Sequence, residues 1–227
     1  MFPLHQSPKD CWRADCSHSV RTVHEHTFVT VVVADPRSYS YLFGLYLGDG
    51  WVASVGARAQ LVFRLDADYP AIISACLAAA AAVLPDARVR VYAVKGQRCV
   101  GVTSYDRRWA GFFPQAGPGP KHERPIVLAD WQRAIVDEFP RPFLRGLIHS
   151  DGCRCVNRFK TKLPSGRVAE YEYPRYFFSN LSADIRGLFC EYCERLGVRW
   201  TQSNHRNISV SHRHSVAILD GFIGAKT

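Results

Sequence analysis

The strongest constraint on this chain is that it repeats itself. The segment Leu42-Phe43-Gly44-Leu45-Tyr46-Leu47-Gly48-Asp49-Gly50 returns 102 residues later as Leu144-Arg145-Gly146-Leu147-Ile148-His149-Ser150-Asp151-Gly152. Leu, Gly, Leu, Asp and Gly keep their places, and an aromatic residue precedes each copy, Tyr41 and Phe143. A repeat sustained well beyond the motif marks two copies of one structural unit. The residues beyond each copy do match in outline. After the first copy, Gln60–Leu65 alternates like a strand and a helix is expected over about Pro70–Leu84. Strand patterns come next at Arg88–Val94 and Arg98–Tyr105, then a short apolar helix near Arg107–Phe113. After the second copy, Arg175–Asn180 reads as strand and Ser182–Leu196 as helix. Val198–Gln202 and Asn207–Ser211 read as strands, and His214–Phe222 as a last helix. The segment Leu65-Asp66-Ala67-Asp68 is echoed by Leu181-Ser182-Ala183-Asp184 at an offset of 116, so 14 extra residues lie between Arg158 and Pro174. That stretch carries Pro164, Ser165 and Gly166 and is expected to be a polar loop that lengthens a hairpin.

Each half therefore reads helix-strand-strand-helix-strand-strand-helix, an α+β arrangement. The expected divisions are an N-terminal arm over 1–34, a first repeat over 35–114, a linker with a lead-in helix over 115–140, and a second repeat over 141–227. The joint at Gln115–Arg124 is rich in Gly and Pro, as linkers are. A helix near Leu128–Phe139 leads toward Pro142, a residue suited to a first helical turn.

The repeated nonamer reads as a helix ending in Asp-Gly. Gly44 and Gly48 share one face, and Gly146 and Ser150 repeat that spacing of small residues. Such a stripe lets two helices approach until their backbones nearly touch. If the copies pack on each other, Asp49 and Asp151 emerge side by side. Negative charge at a helix C-terminus is unfavourable, and two close carboxylates repel. The arrangement makes physical sense with divalent cations between them: Mg²⁺ takes carboxylates together with water and phosphate oxygens, and promotes phosphodiester hydrolysis.

The charge fits a polyanionic partner. Lys and Arg total 29 against 20 acidic residues, a formal charge of +9. Arg88–Arg108 holds six basic residues against one acid, and Arg141–Arg175 eight against three. Both stretches read as hairpins. Arg88 and Arg90 share one strand face with Val89 and Val91 on the other, and Val100 and Val102 point inward while Gly101 and Thr103 point outward. Expected nucleic-acid contacts are Arg64, Arg88, Arg90, Lys95, Arg98, Arg154, Arg158, Lys160, Lys162 and Arg175. Gln60, Gln202 and Asn204 are candidates for reading adenine.

The paired nonamers, their spacing and the element order resemble the LAGLIDADG homing endonuclease family in its single-chain, two-motif form, from about Arg37 onward. The resemblance implies two pseudo-symmetric αββαββα halves whose antiparallel sheets form a saddle over double-stranded DNA. It implies a monomer that cuts both strands. Asp49 and Asp151 would bind Mg²⁺ or Mn²⁺ and direct hydrolysis, with the carbonyls of Gly48 and Ser150 assisting the metal. Lys121 resembles a lysine that some relatives place near the scissile phosphate, and Lys160 and Lys162 are rivals for that role. The sequence departs from the motif at Gly48 and Ser150, which replace a small alanine, and at Leu47 and His149, which replace an earlier acid. The readings compatible with this resemblance are an active endonuclease, freestanding or intein-like in origin, a DNA-binding regulator that no longer cuts, and an RNA-binding splicing cofactor.

Other signals point nowhere strong. The apolar run Ala71–Leu84 is too short to cross a bilayer, no signal peptide is visible, and the eight scattered cysteines suit reduced thiols, so the expected setting is the cytoplasm, or wherever the DNA is. Cys190 and Cys193 sit in a helix pattern, Cys153 and Cys155 on one strand face, and neither pair has a partner pair at finger spacing. Cys11, Cys16, His18, His24 and His26 are not spaced as a zinc finger, and zinc is not expected there.

Overall fold

The computed structural model describes residues 31–55, 58–224 and 226, so the Cys/His run near the start lies outside the described residues. The first half contains α1 (Pro36–Asp49), β1 (Gly50–Val55), β2 (Arg58–Asp66), α2 (Pro70–Val83), β3 (Val89–Ala93), β4 (Cys99–Tyr105) and the single-turn α3 (Trp109–Phe112). A 3-10 turn at Lys121–Glu123 and α4 (Asp130–Glu138) come next. The second half contains α5 (Pro140–Asp151), β5 (Gly152–Lys162), β6 (Val168–Ser179), α6 (Ala183–Arg195), β7 (Thr201–Gln202), β8 (Asn207–Val210) and α7 (Arg213–Ile223). The two sheets have the same antiparallel topology, β1-β2-β4-β3 and β5-β6-β8-β7. The repeat is thus a repeat of structure.

The chemistry of the helix ends explains where α1 and α5 begin and stop. Asp35 caps α1 by accepting from the backbone N–H groups of Arg37 at 3.0 Å and Ser38 at 3.2 Å, and Pro36 opens the first turn, where a missing N–H costs nothing. Pro140, two residues earlier than the proline singled out in the sequence, does the same for α5. Both helices end at the Asp-Gly step, where Gly50 and Gly152 pass directly into β1 and β5.

Between them, α1 and α5 bury nearly all their apolar side chains; Leu42, Phe43, Leu45, Phe143, Leu144 and Leu147 are fully enclosed. The small residues are indispensable here. A Cβ on Gly44 would collide with the carbonyl oxygen of Phe143, and one on Gly146 with the carbonyl oxygen of Tyr41 and, at 2.6 Å, the amide nitrogen of Leu45. These obstacles are backbone and cannot swing away. A buried polar network ties α4 into the same core: Gln132 donates to the Tyr39 hydroxyl at 2.7 Å, which donates to the Phe112 carbonyl at 2.6 Å.

Two expectations need correction. The insertion in the second half is strand rather than loop, because β5 runs to Lys162 and β6 starts at Val168, leaving only a tight turn between. Eleven residue pairs join β5 to β6 against six joining β1 to β2. Opposite charges face each other across the ribbon, Arg158 with Glu172 and Lys160 with Glu170, and help to hold it extended. At the other end of the sheet, β7 is only two residues long, because Val198 is buried off the sheet and the chain reaches strand conformation only at Thr201. Among the described residues no helix is long and apolar enough to cross a membrane.

Candidate functional site

Asp49 and Asp151 are the last residues of α1 and α5, and the close packing of those helices brings the acids together. A Cβ on Gly48 would lie 2.8 Å from Asp151 Oδ2 and would overlap the Ser150 side chain. Glycine at 48 is therefore what admits both Ser150 and the second carboxylate. Ser150 turns its hydroxyl back onto its own helix, donating to the carbonyls of Leu147 at 3.0 Å and Gly146 at 3.2 Å.

Each acid opens into its own cleft, and each cleft is built from both halves. The cleft holding Asp151, about 340 Å³, is lined by Gly48, Lys121 and Asn180. The cleft holding Asp49, about 230 Å³, is lined by Ser150, Lys226, Arg64 and Asp66. The two are thus exchanged across the pseudo-twofold axis: an acid from one motif faces the small residue of the other.

The lysines obey the same symmetry. Lys121 Nζ donates to the Tyr46 carbonyl at 2.6 Å and the Gly50 carbonyl at 2.5 Å, with Gly48 O at 3.4 Å. Lys226 Nζ donates to the Gly152 carbonyl at 2.8 Å, with Ser150 O at 3.4 Å. Each ammonium caps the unsatisfied carbonyls at the C-terminal end of one motif helix, the end that favours positive charge. Sequence reasoning singled out Lys121 and missed Lys226. The spacing gives little signal: Lys121 follows Asp49 by 72 residues and Lys226 follows Asp151 by 75, across a second half that carries 14 extra residues. The rivals Lys160 and Lys162 lie far along the β5–β6 ribbon.

Burial disfavours charge of either sign at this site, raising both acids and lowering both lysines. Burial raises the Asp49 carboxyl to about 7, with the neighbouring Asp151 pushing the same way, against the pull of Lys226 and Lys121. Asp151 is also raised by burial, but Asn180 holds it down by donating to Oδ2 at 2.6 Å. Burial lowers Lys121 to about 8 despite both acids. Two half-buried carboxylates that resist ionising together, backed by two helix-end carbonyls, fit a divalent cation. Among the described residues no group of three or more His, Cys, Asp or Glu side chains gathers, so further ligands to such an ion would be backbone carbonyls, water and phosphate oxygens, the set Mg²⁺ prefers.

His149, which the sequence marked as a departure from the motif, is a buried structural residue. Its Nε2 donates to the Ile223 carbonyl at 3.1 Å, so Nδ1 accepts from the Tyr41 hydroxyl at 3.0 Å. Burial depresses its pKa to about 4 and keeps it neutral. This grip fixes the end of α7, beyond which Gly224 turns the chain at φ 76° toward Lys226.

Strand alternation sorts the basic residues. The faces turned from the helices carry Trp51, Arg58, Gln60, Arg64, Arg90 and Tyr92 in the first sheet and Arg175 in the second. Arg64 is held on that face, donating to the Tyr92 hydroxyl at 2.9 Å and lying over the Trp51 and Tyr92 rings. Arg88 stands just ahead of β3 and Lys95 in the exposed β3–β4 turn. Five expected contacts are placed otherwise. Arg154, Arg158, Lys160 and Lys162 point to the opposite face of the ribbon, where Arg154 pairs with Asp220 at 2.7 Å, Arg158 with Glu172 at 3.1 Å, and Lys160 with Glu170. Arg98 pairs with Asp68 at the end of a hairpin. Charge density along the sequence could not separate the two faces of a strand. Gln60 is on the open face, bonded to Thr103 at 2.9 Å. Gln202 pairs with the core residue Ile208, and Asn204 accepts from the amides of Arg206 and Asn207 to build a turn. Arg58 and Asn180 were not anticipated.

No family model matches the chain, and no curated protein matches it. Solved structures do. The structure is similar to that of I-DmoI in complex with DNA and Mn, with a TM-score of 0.54 and 13% identity, over 84% of this chain and 98% of that one. It is similar to an I-DmoI variant in complex with its target DNA in the presence of Mg, with a TM-score of 0.54 and 13% identity, over 84% and 97%. A third similarity is to I-DmoI in complex with DNA and Ca, with a TM-score of 0.51 and 15% identity, over 84% and 91%. With its two motif helices paired at the centre and a four-stranded sheet on each half, the chain has the LAGLIDADG homing-endonuclease fold in its single-chain, two-motif form.

Proposed function

We propose that this protein is a site-specific double-stranded DNA endonuclease that hydrolyses phosphodiesters with divalent metal at Asp49 and Asp151. The observation that carries the reading is the pair of exchanged clefts, each holding one half-buried acid, the small residue of the other motif and one lysine. The net charge of +9 and the arginines on the open sheet faces supply the attraction for a duplex. That the I-DmoI structures are complexes with DNA and Mn, Ca or Mg supports it further.

Asp49 with the Ser150 carbonyl, and Asp151 with the Gly48 carbonyl, would hold Mg²⁺ or Mn²⁺. Bound there, the metal supplies charge neutralisation at the phosphate and an activated water. The chain's own contribution is placement and charge. The glycine contacts fix the separation of the acids, and Asn180 orients Asp151. Lys121 and Lys226 bring positive charge to the two clefts, where it favours an anionic phosphate and its more highly charged transition state. Arg58, Gln60, Arg64, Arg90 and Arg175 hold the duplex across the sheets, with Arg88 and Lys95 reaching its backbone.

The test is a randomised-duplex library incubated with the protein and Mg²⁺. Cutting at one long, defined site is expected. A protein that retains a preferred duplex without cutting it would be a binding protein on this fold, and one that neither cuts nor retains duplex would overturn the reading.

A further inference from the structure

The two open sheet faces offer a duplex different chemistry. The first presents guanidinium and amide groups, Arg58, Gln60, Arg64 and Arg90. Its exposed rings Trp51 and Tyr92 carry the Arg64 guanidinium over them, and Tyr105 stands at its edge opposite Gln60. The second, beyond Arg175, presents Cys155, Asn157, Phe159, Tyr171 and Tyr173, because the charged strand residues Arg158, Lys160, Lys162, Glu170 and Glu172 are on the opposite face and mostly paired, and Arg167 lies in the turn at the tip. Phe159 is 44% exposed and Tyr173 47% exposed, high values for large apolar side chains. β8 pairs only with Tyr176–Ser179, so among the described residues the ribbon beyond Pro174 has just two strands and no element covers this face.

The three rings lie against one another. Phe159 and Tyr171 are 5.4 Å apart between centroids at 26°, and Tyr171 and Tyr173 are 6.1 Å apart at 11°. Rings that spend their faces on each other turn their edges outward, here the C–H edge of Phe159 and the tyrosine edges, which also carry hydroxyls. Unpaired bases bind by stacking on free ring faces, so this cluster is poorly suited to them. The C–H edges of this cluster, Phe159 above all, suit the floor of a major groove, where thymine alone presents a methyl group.

We propose that the β5–β6 ribbon reads its arm of the target through thymine methyl groups, while the first sheet reads the other arm by hydrogen bonding. The inference rests on the proposed binding of duplex DNA. Because β5 starts immediately after Asp151, the strand rise sets the distance: Asn157 to Thr161 lie roughly 20–33 Å out, or about six to ten base pairs from the centre of the site.

The experiment uses the whole protein and a selected duplex, with thymine replaced by deoxyuridine in one arm at a time. Uracil keeps Watson–Crick pairing and removes only the methyl. Binding should weaken roughly fourfold for each contacted methyl in one arm, and by less than about twofold in the other. In Phe159→Ala and Tyr173→Ala the sensitive arm should lose its discrimination between thymine and uracil while the protein still binds. Equal response in both arms, or in neither, overturns the proposal. Tighter binding of single-stranded oligonucleotides than of duplex also overturns it, since that would assign the rings to unpaired bases. A protein that retains no duplex at all refutes the endonuclease reading together with this one.

Discussion

The two halves build the same site by different means. In the first, Lys121 is carried by the linker, whose loop is pinned by Arg124 donating to the carbonyls of Gly117, Pro118, Gly119 and Gln115 at 2.8–3.0 Å. In the second, Lys226 depends on α7 and on the His149 grip at Ile223. The acids differ in the opposite sense. Asp151 has Asn180 to orient and stabilise its charge. Asp49 relies on the two lysines to oppose its burial, and its carboxyl is raised to about 7. Because the clefts are exchanged, the lysine held by the linker and the acid held by Asn180 meet in one cleft, while Asp49 and Lys226 share the other. The pseudo-symmetry is imposed at the backbone, where helix contact leaves no freedom, and relaxed in the side chains that support each cleft.

The lysines offer the largest way to break this comparison. Lys121→Met and Lys226→Met should each slow cleavage by roughly 10²–10³, the effect of removing one transition-state donor. If the exchanged clefts act separately, each variant should slow one strand and leave nicked product, which strand-specific end labels would report. Equal slowing of both strands would mean that the clefts share their charge. The shared backbone is tested by Gly146→Ala, which should cost about 3 kcal/mol or more by forcing the helices apart, read from denaturant unfolding of variant and parent.

The acids give smaller effects. Asn180→Ala should weaken metal-dependent cleavage roughly tenfold through Asp151 while sparing the Asp49 strand, because a hydrogen bond to a charged group is worth about 1.5–3 kcal/mol. Asp49 must shed its proton to hold a metal, so at subsaturating Mg²⁺ its strand should be cut about tenfold more slowly per pH unit below about 7. The stability sign comes from the same shift. A carboxyl raised in the folded state stabilises it below the ordinary carboxylate range, and that contribution is lost as pH rises through about 7. Metal-free protein should therefore lose thermal stability over that interval, and Asp49→Asn should flatten the curve.

Much of this was legible in the sequence. Two Asp-Gly nonamers and their small-residue stripes were enough to place α1, α5 and the pairing of Asp49 with Asp151, because helix periodicity and backbone contact leave few alternatives. The ribbon was misread because the turn residues Pro164, Ser165 and Gly166 mark where a hairpin reverses, not how far its strands extend. The faces of Arg154, Arg158 and Lys160 depended on register, where one residue reverses every side chain. Lys226 carries no local motif; its role comes from α7 folding back against α5.

The central claim is that Asp49 and Asp151 each serve one strand of a duplex. The direct measurement is cleavage of a supercoiled plasmid carrying the selected site by the parent, Asp49→Asn, Asp151→Asn and the double variant, each with Mg²⁺. The account predicts linear product from the parent, nicked circles from each single variant with opposite strands cut, and intact supercoils from the double variant. Linear product from either single variant, or cutting by the double variant, would contradict it.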